Sequence, residues 1–507
     1  MNAYQQFSEY MGRINDLCCV ANLLIWDERT QMPRNGGPHR GPQFSTLIRA
    51  AQEQFMSGEM DALISGAEAE VNRESPDSYR YRNVRAAREA FERVKKIPLS
   101  ITTAQAQLLS GAQAAWESAR EASDFSIFQP WLEKMVGIKQ QLAEAIGYTD
   151  HPYDALLYRY EPGMTAARLR QLFGELKDGV MPVLEHIQSR PEPRHDFLTR
   201  DYEPDAQRRF AMKVVQDFGY DMDRGRVDTA VHPFEISFTR EDVRITTRYR
   251  SNYLPMALFG LFHESGHGMY EQGADPAISR SALTTDLLAM YAVAGVSFGM
   301  HESQSRLWEN MVGRSRPFWQ HYYPELQQAF PGRLEDVSGD EFYRAVNRVS
   351  PSYIRVEADE ITYNFHIMLR VEAEMGMLDG SVKVSDLPDF WNSKMKEYLG
   401  IEPRNHAEGV LQDIHWAAGD YGSFPCYTIG NIIAAQVFKA ASSQLQDLDV
   451  QIGSGSFGPL HDWLREHIYR HGRAFSSEEL LERISGRTLS PADYISYIGK
   501  KYRRIYE

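Results

Sequence analysis

Three residues near the middle of the chain have the types and spacing of a metal site that activates water. They are His263, Glu264 and His267, in the pattern H-E-x-x-H. On an α-helix, positions i and i+4 share one face, so both imidazoles can bind one ion. Glu264 can then exchange protons with a metal-bound water without binding the metal itself. The five residues alone also fit a structural alternative, in which two core histidines lie on a buried helix beside an incidental glutamate.

A catalytic metal of this kind needs a third protein ligand and an open position for water. Glu271 follows His263 by eight residues, which is about 12 Å along a helix, so it is too far away to share the ion. A later helix should therefore supply the ligand, and Asp286 and Glu302 are the acidic candidates. Polar residues around Glu302 follow an apolar run that ends at Met300, which favours Glu302. A solvated carboxylate at the start of a helix is the alternative interpretation of that position.

The elements that must position these residues are predicted to be mostly helices. Apolar residues recur at three- and four-residue spacing in several segments, namely 79–96, 103–122, 166–180, 354–375 and 432–445. Two short runs rich in Ile, Phe, Val and Thr, 232–238 and 243–249, predict a β-hairpin just before the H-E-x-x-H motif. We therefore expect one large α-helical body with a small antiparallel sheet near residues 231–250, and a single domain over 1–507.

Composition excludes several classes of function. The chain has 507 residues, a net charge of −14 and 43% hydrophobic residues, so it can build a large core. The negative charge argues against binding nucleic acid or anionic lipid. Three cysteines, Cys18, Cys19 and Cys426, cannot form a disulfide framework, which predicts free thiols in a reducing compartment. No signal-peptide pattern and no membrane-spanning run is visible, so we expect a cytoplasmic protein without membrane partners.

Six blocks of sequence occur in the order that characterises the Taq-type thermostable metallocarboxypeptidases, and the chain resembles that family over most of its length. The blocks are HPF at 232–234, DVRIT at 242–246, HESGH at 263–267, HESQ at 301–304, IRVEAD at 354–359 and GVLQDIHW at 409–416. The segment WDERTQMP at 26–33 also resembles the opening of the family. Chance does not explain six ordered blocks, so the metal interpretation of the H-E-x-x-H helix is strongly favoured.

The resemblance implies a carboxypeptidase that acts on peptides with a free C-terminus, a helical fold with a deep groove, and a homodimer. It implies one divalent metal per chain, for which we expect zinc, with cobalt as the alternative. The implied metal ligands are His263, His267 and Glu302, and Glu264 is the implied general base and acid.

The resemblance also implies residues that contact the substrate. Arg355 would hold its terminal carboxylate, with Arg244 and His232 as further candidates, and His415 and Tyr427 would face the tetrahedral intermediate. Each has a structural alternative. Without the family, Arg355 would be an arginine paired with neighbouring acidic residues, namely Glu357, Asp359 and Glu360. In the same way His232 would be a strand-end histidine, Tyr427 a core aromatic residue, and Arg244 equally a groove-facing or a solvent-facing residue.

Two departures from the family pattern concern the site. Glu302 follows His263 by 39 residues, a longer interval than usual, so extra residues lie between Asp275 and Gly299. We expect them to form a local elaboration, of which 279–285 is the most loop-like part, without displacing Glu302. Ser423 stands where the family usually has a tyrosine, and Tyr421 is two residues away. This second departure concerns the shape of the pocket more than the chemistry.

The sequence thus predicts a metallocarboxypeptidase that removes C-terminal residues by metal-activated water attack. One alternative is an endo-acting oligopeptidase of the same helical H-E-x-x-H class, and stepwise loss of C-terminal residues distinguishes it from internal cleavage. A second alternative is a non-catalytic scaffold that kept the fold. The intact set of His263, Glu264, His267 and Glu302 speaks against that scaffold.

Overall fold

Helices make up most of the structure, a computed structural model that describes residues 1–507. The α-helices, α1 to α20 in chain order, cover Ala3–Thr30, Gly37–Phe55, Gly58–Val71, Tyr79–Lys95, Leu99–Ala122, Phe125–Ile146, Tyr153–Leu157, Ala166–Gln188, Pro204–Phe218, Leu254–Gln272, Phe298–Arg306, Arg316–Ala329, Gly339–Val346, Thr362–Asp379, Leu387–Leu399, Phe424–Gln444, Leu448–Gly453, Gly458–His467, Ser477–Ser485 and Ala492–Tyr506. The strands, β1 to β5, cover Gly225–Thr229, Glu235–Thr239, Asp242–Thr247, Thr285–Asp286 and Tyr291–Ala292. The prediction of a mainly α-helical fold with a small sheet is confirmed.

The chain forms two compact units, each built from three segments. The first unit comprises Met1–Val94, Pro193–Val346 and Ile433–Leu489. The second unit comprises Lys95–Glu192, Asn347–Ile432 and Ser490–Glu507. The H-E-x-x-H motif belongs to the first unit, whereas the blocks at 354–359 and 409–416 belong to the second. That the whole chain acts as one domain stays a prediction.

The sheet of the first unit lies directly before the H-E-x-x-H helix in sequence. Strand β3 is central and pairs with β2 antiparallel and with β1 parallel. The predicted hairpin is therefore confirmed. Strand β1, with the sequence GRVDT, was not predicted, because it has a single apolar side chain, Val227, and so shows no apolar alternation. Helix α10 packs against β2 and β3, so the sheet supports the helix that carries both histidines.

Helix limits follow local capping. Tyr79 and Ala166 begin helices as predicted. The predicted helix at 354–375 is wrong at its start, because α14 begins only at Thr362. The reason is Asp359, whose Oδ1 accepts hydrogen bonds from the backbone N–H groups of Ile361 and Thr362, both at 2.9 Å. A short acidic side chain that binds these unpaired N–H groups marks a helix start.

The extra residues between Asp275 and Gly299 form a local elaboration, as predicted, but the stretch expected to be most loop-like, 279–285, is mostly buried. They form two short 3₁₀ turns and the β4–β5 hairpin, and several of them are buried in the core of the first unit. The buried apolar residues of this segment are Ile278, Ala282, Leu283, Leu287, Met290, Ala292, Ala294 and Val296. Two buried asparagines of α1 bind the hairpin, since Asn15 donates to Thr285 Oγ1 at 2.8 Å and Asn22 donates to Ala292 O at 2.9 Å. The segment is too apolar to stay in water, and α1 supplies the surface that covers it.

Two composition-based expectations can be compared with the structure. Cys18, Cys19 and Cys426 are all free thiols, as predicted. Burial raises the pKa values of Cys18 and Cys19 to about 12, so both stay protonated near neutral pH. No helix combines the length and the apolar character that crossing a bilayer requires.

Candidate metal centre and substrate cluster

His263 and His267 lie on α10, which is buried along most of its length. The helix begins at Leu254 with Pro255 in its first turn, where the missing N–H costs no hydrogen bond. The apolar residues around the motif bury the helix, so Glu264 and His267 are only 7% and 8% exposed. The sequence therefore places two imidazoles and a carboxylate in a site that is largely shielded from water.

Glu302 completes a group of three converging side chains. It lies on α11, whose N-cap residue Ser297 accepts a hydrogen bond from the N–H of Met300 at 2.9 Å. Glu302 Oε2 is 3.5 Å from His263 Nε2 and 3.3 Å from His267 Nε2. One ligand atom from each of the three residues lies within 4.8 Å of the other two. The structure thus brings together the three residues that the sequence proposed as ligands.

The alternative ligand, Asp286, is not part of this group. It lies in the β4–β5 hairpin, and its Oδ1 accepts hydrogen bonds from the N–H groups of Leu288 and Ala289 at 3.0 and 3.1 Å. The carboxylate therefore caps a turn. The extra residues leave Glu302 on the face of α11 that meets α10.

A glycine allows α10 and α11 to approach closely enough for the three side chains to meet. A Cβ atom at Gly266 would lie 2.5 Å from the carbonyl oxygen of Gln304 and 2.7 Å from Ser305 Cα. Both atoms are backbone, so the clash could be relieved only by moving the helix. Gly260, on the same helix, has no atom closer than 3.7 Å to an added Cβ.

We expect Gly266→Ala to separate the two helices and to weaken metal binding. The overpacking should also lower the free energy of unfolding by about 1–3 kcal/mol. Gly260→Ala is the matched control, and it should leave stability unchanged or raise it by up to about 1 kcal/mol because alanine favours helix. Denaturant unfolding and metal titration of both variants measure the difference. Equal behaviour of the two variants would contradict the role given to the close approach.

Glu309, which the sequence analysis did not identify, contacts the first histidine. It lies in the π-helical segment Leu307–Val312 that follows α11, and its Oε2 accepts a hydrogen bond from His263 Nδ1 at 2.9 Å. Arg306 and Arg314 also donate to this carboxylate, at 3.4 and 3.1 Å. Spacing offered one signal, since Glu302 and Glu309 are seven residues apart and so lie near one helical face. A π-helical turn at such a position is common at functional sites.

The site stabilises positive charge at His263 and keeps Glu302 ionised. Burial opposes the charged form of His263, but Glu302 and Glu309 outweigh burial and raise its pKa to about 10. Burial also opposes ionisation of Glu302, yet Arg306 and His263 hold the pKa of that carboxyl well below its usual range. Burial lowers the pKa of His267 to about 3. The group thus combines an ionised carboxylate with one neutral imidazole, and it stabilises positive charge beside that carboxylate, which suits a cation.

The donor set fits a divalent metal of the zinc type. Two imidazole nitrogens and one carboxylate oxygen form one of the ligand sets of catalytic zinc sites. Nδ1 of His263 is bonded to Glu309 and Nδ1 of His267 to His301, which leaves both Nε2 atoms facing Glu302. Bonds of this kind to the outer nitrogen orient histidine ligands.

Glu264 lies next to the first histidine and has an unusual proton affinity. Burial raises its pKa to about 7, with His263 opposing the shift and Glu302 adding to it. The side chain is part of the motif but not of the converging group. A carboxyl group with a pKa near neutral pH can both accept and donate a proton.

In the second unit, Arg355 is buried and paired, although not with its sequence neighbours. Its Nη2 and Nε donate to Asp413 Oδ1 at 2.8 and 3.2 Å, and its Nη1 donates to Tyr363 Oη at 2.9 Å. The backbone of Arg355 is held as well, because its N–H donates to Gln412 Oε1 at 2.9 Å. The alternative of a surface arginine, or of one paired with its acidic sequence neighbours, is not seen, since Asp359 caps α14 and Glu360 pairs with Lys501.

Asp413 joins a second arginine to the first. Arg370 is fully buried, and its Nε donates to Asp413 Oδ2 at 2.7 Å. Burial would raise the pKa of Asp413, but Arg355 and Arg370 together hold it well below its usual range. One carboxylate between two guanidinium groups leaves a net positive charge in a buried place. The sequence analysis named neither Arg370 nor the role of Asp413.

His415 and Tyr427 belong to the same cluster. His415 Nε2 is 3.4 Å from Tyr427 Oη, and Arg355 Cζ lies 5.1 Å from the centre of the Tyr427 ring. Burial lowers the pKa of His415, partly opposed by Asp413. The structure thus groups the three residues of the second unit that the sequence connected with substrate. We call Arg355, Arg370, Asp413, His415 and Tyr427 the arginine cluster.

The remaining sequence candidates lie elsewhere. Arg244 donates from Nε and Nη2 to Asp242 on its own strand at 2.8 and 2.9 Å, and it covers the ring of Trp26 at 4.4 Å. His232 is exposed at the end of a loop before β2. In the second unit, Ser423 and Tyr421 are both buried. Whether these residues contact substrate stays a prediction.

Known proteins resemble the chain over its whole length. A model of the carboxypeptidase Taq (M32) metallopeptidase family matches residues 6–502. Thermostable carboxypeptidase 1 of Thermus thermophilus is 39% identical over 514 residues, covering 99% of each chain. Carboxypeptidase 1 of Bacillus subtilis is 38% identical, covering 99% of this chain and 98% of its own.

Solved structures agree with the sequence comparison. The M32 carboxypeptidase of Deinococcus radiodurans R1 has a TM-score of 0.94 to this chain at 38% identity, covering 99% of both. The family model, the relatives and the fold all lead to the same class of enzyme. The chain therefore belongs to the carboxypeptidase Taq (M32) family of metallopeptidases and is a metallocarboxypeptidase.

Proposed function

We propose that this metallocarboxypeptidase uses the converging group on α10 and α11 to hydrolyse the last peptide bond of peptides with a free C-terminus. The observation that carries the proposal is the approach of His263, His267 and Glu302 to within 4.8 Å, with Glu264 next in sequence to the first histidine. Two packed helices that bury two imidazoles and two carboxylates at one position are best explained by a bound cation. Buried charge is costly unless it is paired or binds a metal.

The proposed metal is one zinc ion per chain, with cobalt as the alternative, held by His263, His267 and Glu302. Such an ion, when bound, supplies a water of lowered pKa and polarises the carbonyl of the scissile bond. Glu264 accepts the proton of the attacking water and delivers it to the leaving amine. Glu309 holds His263 by its Nδ1, so that the ring keeps its orientation through the reaction.

Arg355 binds the terminal carboxylate of the substrate in this proposal. An arginine has five N–H donors, and Asp413 and Tyr363 take three of them in the structure. Two N–H groups are left for a carboxylate, which arginine binds in bidentate fashion. The net positive charge of the arginine cluster favours the same ligand.

His415 and Tyr427 are the proposed donors to the oxyanion. Their side chains lie together beside Arg355, and a tyrosine hydroxyl or an imidazole N–H can stabilise negative charge on the carbonyl oxygen. The cytoplasmic location and the homodimeric state stay predictions. The endo-acting alternative is tested by the requirement for a free C-terminus.

We expect a peptide with an amidated C-terminus to be cleaved at least about 30-fold less efficiently than its free acid. Losing one partner of a buried charge pair costs about 2–5 kcal/mol, and each decade corresponds to about 1.4 kcal/mol. Measurement of kcat/KM on the paired peptides gives the ratio directly. Arg355→Ala should lose most of this discrimination and keep its metal content.

Arg404→Ala is the control, because Arg404 is an exposed arginine of the second unit that pairs with Glu408. It should discriminate between the two peptides as the wild type does. Equal cleavage of amidated and free-acid peptides by the wild type would contradict the exopeptidase proposal and support the oligopeptidase alternative.

A further inference from the structure

We propose that His301 is a positioning residue that, together with Glu271, fixes the tautomer of His267 and so directs the Nε2 lone pair of His267 to the metal. The inference rests on the proposed role of His267 as a ligand. It assigns a function to the first residue of the HESQ block and to Glu271, which is too far along α10 to be a ligand itself.

The three side chains form a continuous hydrogen-bonded chain. His267 Nδ1 is 2.6 Å from His301 Nδ1, and His301 Nε2 is 3.0 Å from Glu271 Oε1. The two imidazole planes are inclined by only 22°, with ring centres 4.6 Å apart. Because the nitrogens are closer than two stacked rings can be, the rings meet edge to edge, as a hydrogen bond between nitrogens requires.

Glu271 determines which nitrogen of each histidine donates and which accepts along these hydrogen bonds. Its Oε1 accepts a hydrogen bond from the N–H of Gly295 at 2.9 Å, and its Oε2 accepts from the N–H of Ala294 at 2.8 Å and from Ser237 Oγ at 3.0 Å. An ionised carboxylate only accepts hydrogen bonds, so the nitrogen of His301 that faces it must carry a hydrogen.

The remaining protons follow from the chemistry of neutral imidazole, which has one donor and one acceptor nitrogen. If Nε2 of His301 donates to Glu271, then Nδ1 of His301 accepts. The Nδ1 of His267 must then donate, which leaves its Nε2 without a hydrogen. That Nε2 is the atom 3.3 Å from Glu302 Oε2. The hydrogen bonds from Glu271 through His301 therefore select the only neutral tautomer of His267 that can bind a metal at this position.

The backbone that anchors Glu271 comes from the extra segment of this protein. Ala294 and Gly295 follow β5 directly, and β5 is held to α1 by Asn22. The backbone N–H of Gly295 binds Glu271, and glycine is needed at this position because an added Cβ would overlap the ring of His301. The extra residues thus contribute to the metal centre without supplying a ligand.

The tautomer of His301 can be observed in the unchanged zinc-loaded enzyme. With ¹⁵N-labelled histidine, two-bond couplings distinguish a hydrogen on Nδ1 from one on Nε2. We expect His301 to carry its hydrogen on Nε2 alone. A hydrogen on Nδ1 of His301, with or without one on Nε2, would overturn the proposal, because His267 could then not donate to it.

Zinc affinity gives a second, independent test. His301→Leu and Glu271→Met each break the series of hydrogen bonds that ends at His267. Each should weaken zinc binding about 10- to 100-fold, as measured by competition with a chelator. His301→Asn keeps an acceptor near the position of Nδ1, and Glu271→Gln keeps one acceptor oxygen, which can face His301 Nε2 and the N–H of Gly295. Both should restore most of the affinity, and with cobalt their visible spectra should resemble that of the wild type.

His471→Leu is the matched control, because His471 belongs to the same unit and its side chain hydrogen-bonds to Tyr79 Oη, away from the proposed ligands. It should bind zinc as the wild type does. Wild-type affinity in His301→Leu, or equal losses in His301→Leu and His301→Asn, would overturn the proposal while leaving the proposed ligands in place. Failure of the ligands themselves is seen separately, as unchanged zinc content in a His263→Ala/His267→Ala variant. If a variant does not fold, the tautomer measurement on the wild type still decides.

Discussion

Glu264→Gln should keep its metal and lose nearly all peptide hydrolysis. Glutamine preserves the shape of the side chain, but it cannot accept a proton from water. The loss of a general base typically costs at least about 10²-fold, so kcat should fall by that factor or more. Steady-state kinetics on one free-acid peptide, combined with elemental analysis of the same preparation, measures both quantities.

Glu241→Gln is the control for this experiment, because Glu241 is an exposed carboxylate of the same unit. It should retain the kinetics of the wild type. A near-normal kcat in Glu264→Gln would remove Glu264 from the mechanism. A variant that lost its metal as well would instead show that the carboxylate is needed for binding.

Removing both imidazoles of α10 should abolish metal binding. The His263→Ala/His267→Ala variant keeps only Glu302 of the three converging groups, and one carboxylate does not hold a catalytic metal. We expect elemental analysis to give one zinc per chain in the wild type and almost none in the double variant. Hydrolysis should fall to background at the same time.

The matched control for the double variant replaces two histidines of the same unit that lie outside the centre. His461 packs against Gly219, and His471 contacts Tyr79. The His461→Ala/His471→Ala variant should keep its zinc. An unchanged zinc content in the His263→Ala/His267→Ala variant would place the metal site elsewhere in the chain.

Local features of the sequence were enough to predict the helix that carries the motif. The i, i+4 spacing of His263 and His267 depends only on helix geometry, and the apolar flanks predict the burial that α10 shows. The hairpin formed by β2 and β3 also follows from local alternation. The position of Glu302 needed more, because residue spacing alone left Asp286 as a second candidate.

Features that depend on distant contacts were missed or wrong. Glu309 and His301 act through histidine nitrogens on another helix, and sequence spacing says nothing about which nitrogen faces which carboxylate. Arg370 pairs with Asp413, 43 residues away along the chain. Partner choice over such separations is set by packing, which periodicity does not encode.

The extra segment between Asp275 and Gly299 was predicted as a local elaboration, but the burial of its apolar residues was not predicted. An insertion is tolerated best at the surface, but this one contains Leu283, Leu287 and Met290, which are buried in the first unit. The apolar residues of the segment were a signal for burial. The tolerance of exposed loops for insertions was given more weight than that signal. The structural consequence is that the segment supports Glu271 and, through it, the metal centre.

The most direct test of a metal-dependent carboxypeptidase is the pattern of products from one peptide of known sequence. Mass spectrometry over a time course should show successive loss of single residues from the C-terminus. A chelator should stop the reaction, and added zinc should restore it. Internal fragments at early times, or cleavage that continues in the presence of the chelator with the metal removed, would contradict the account.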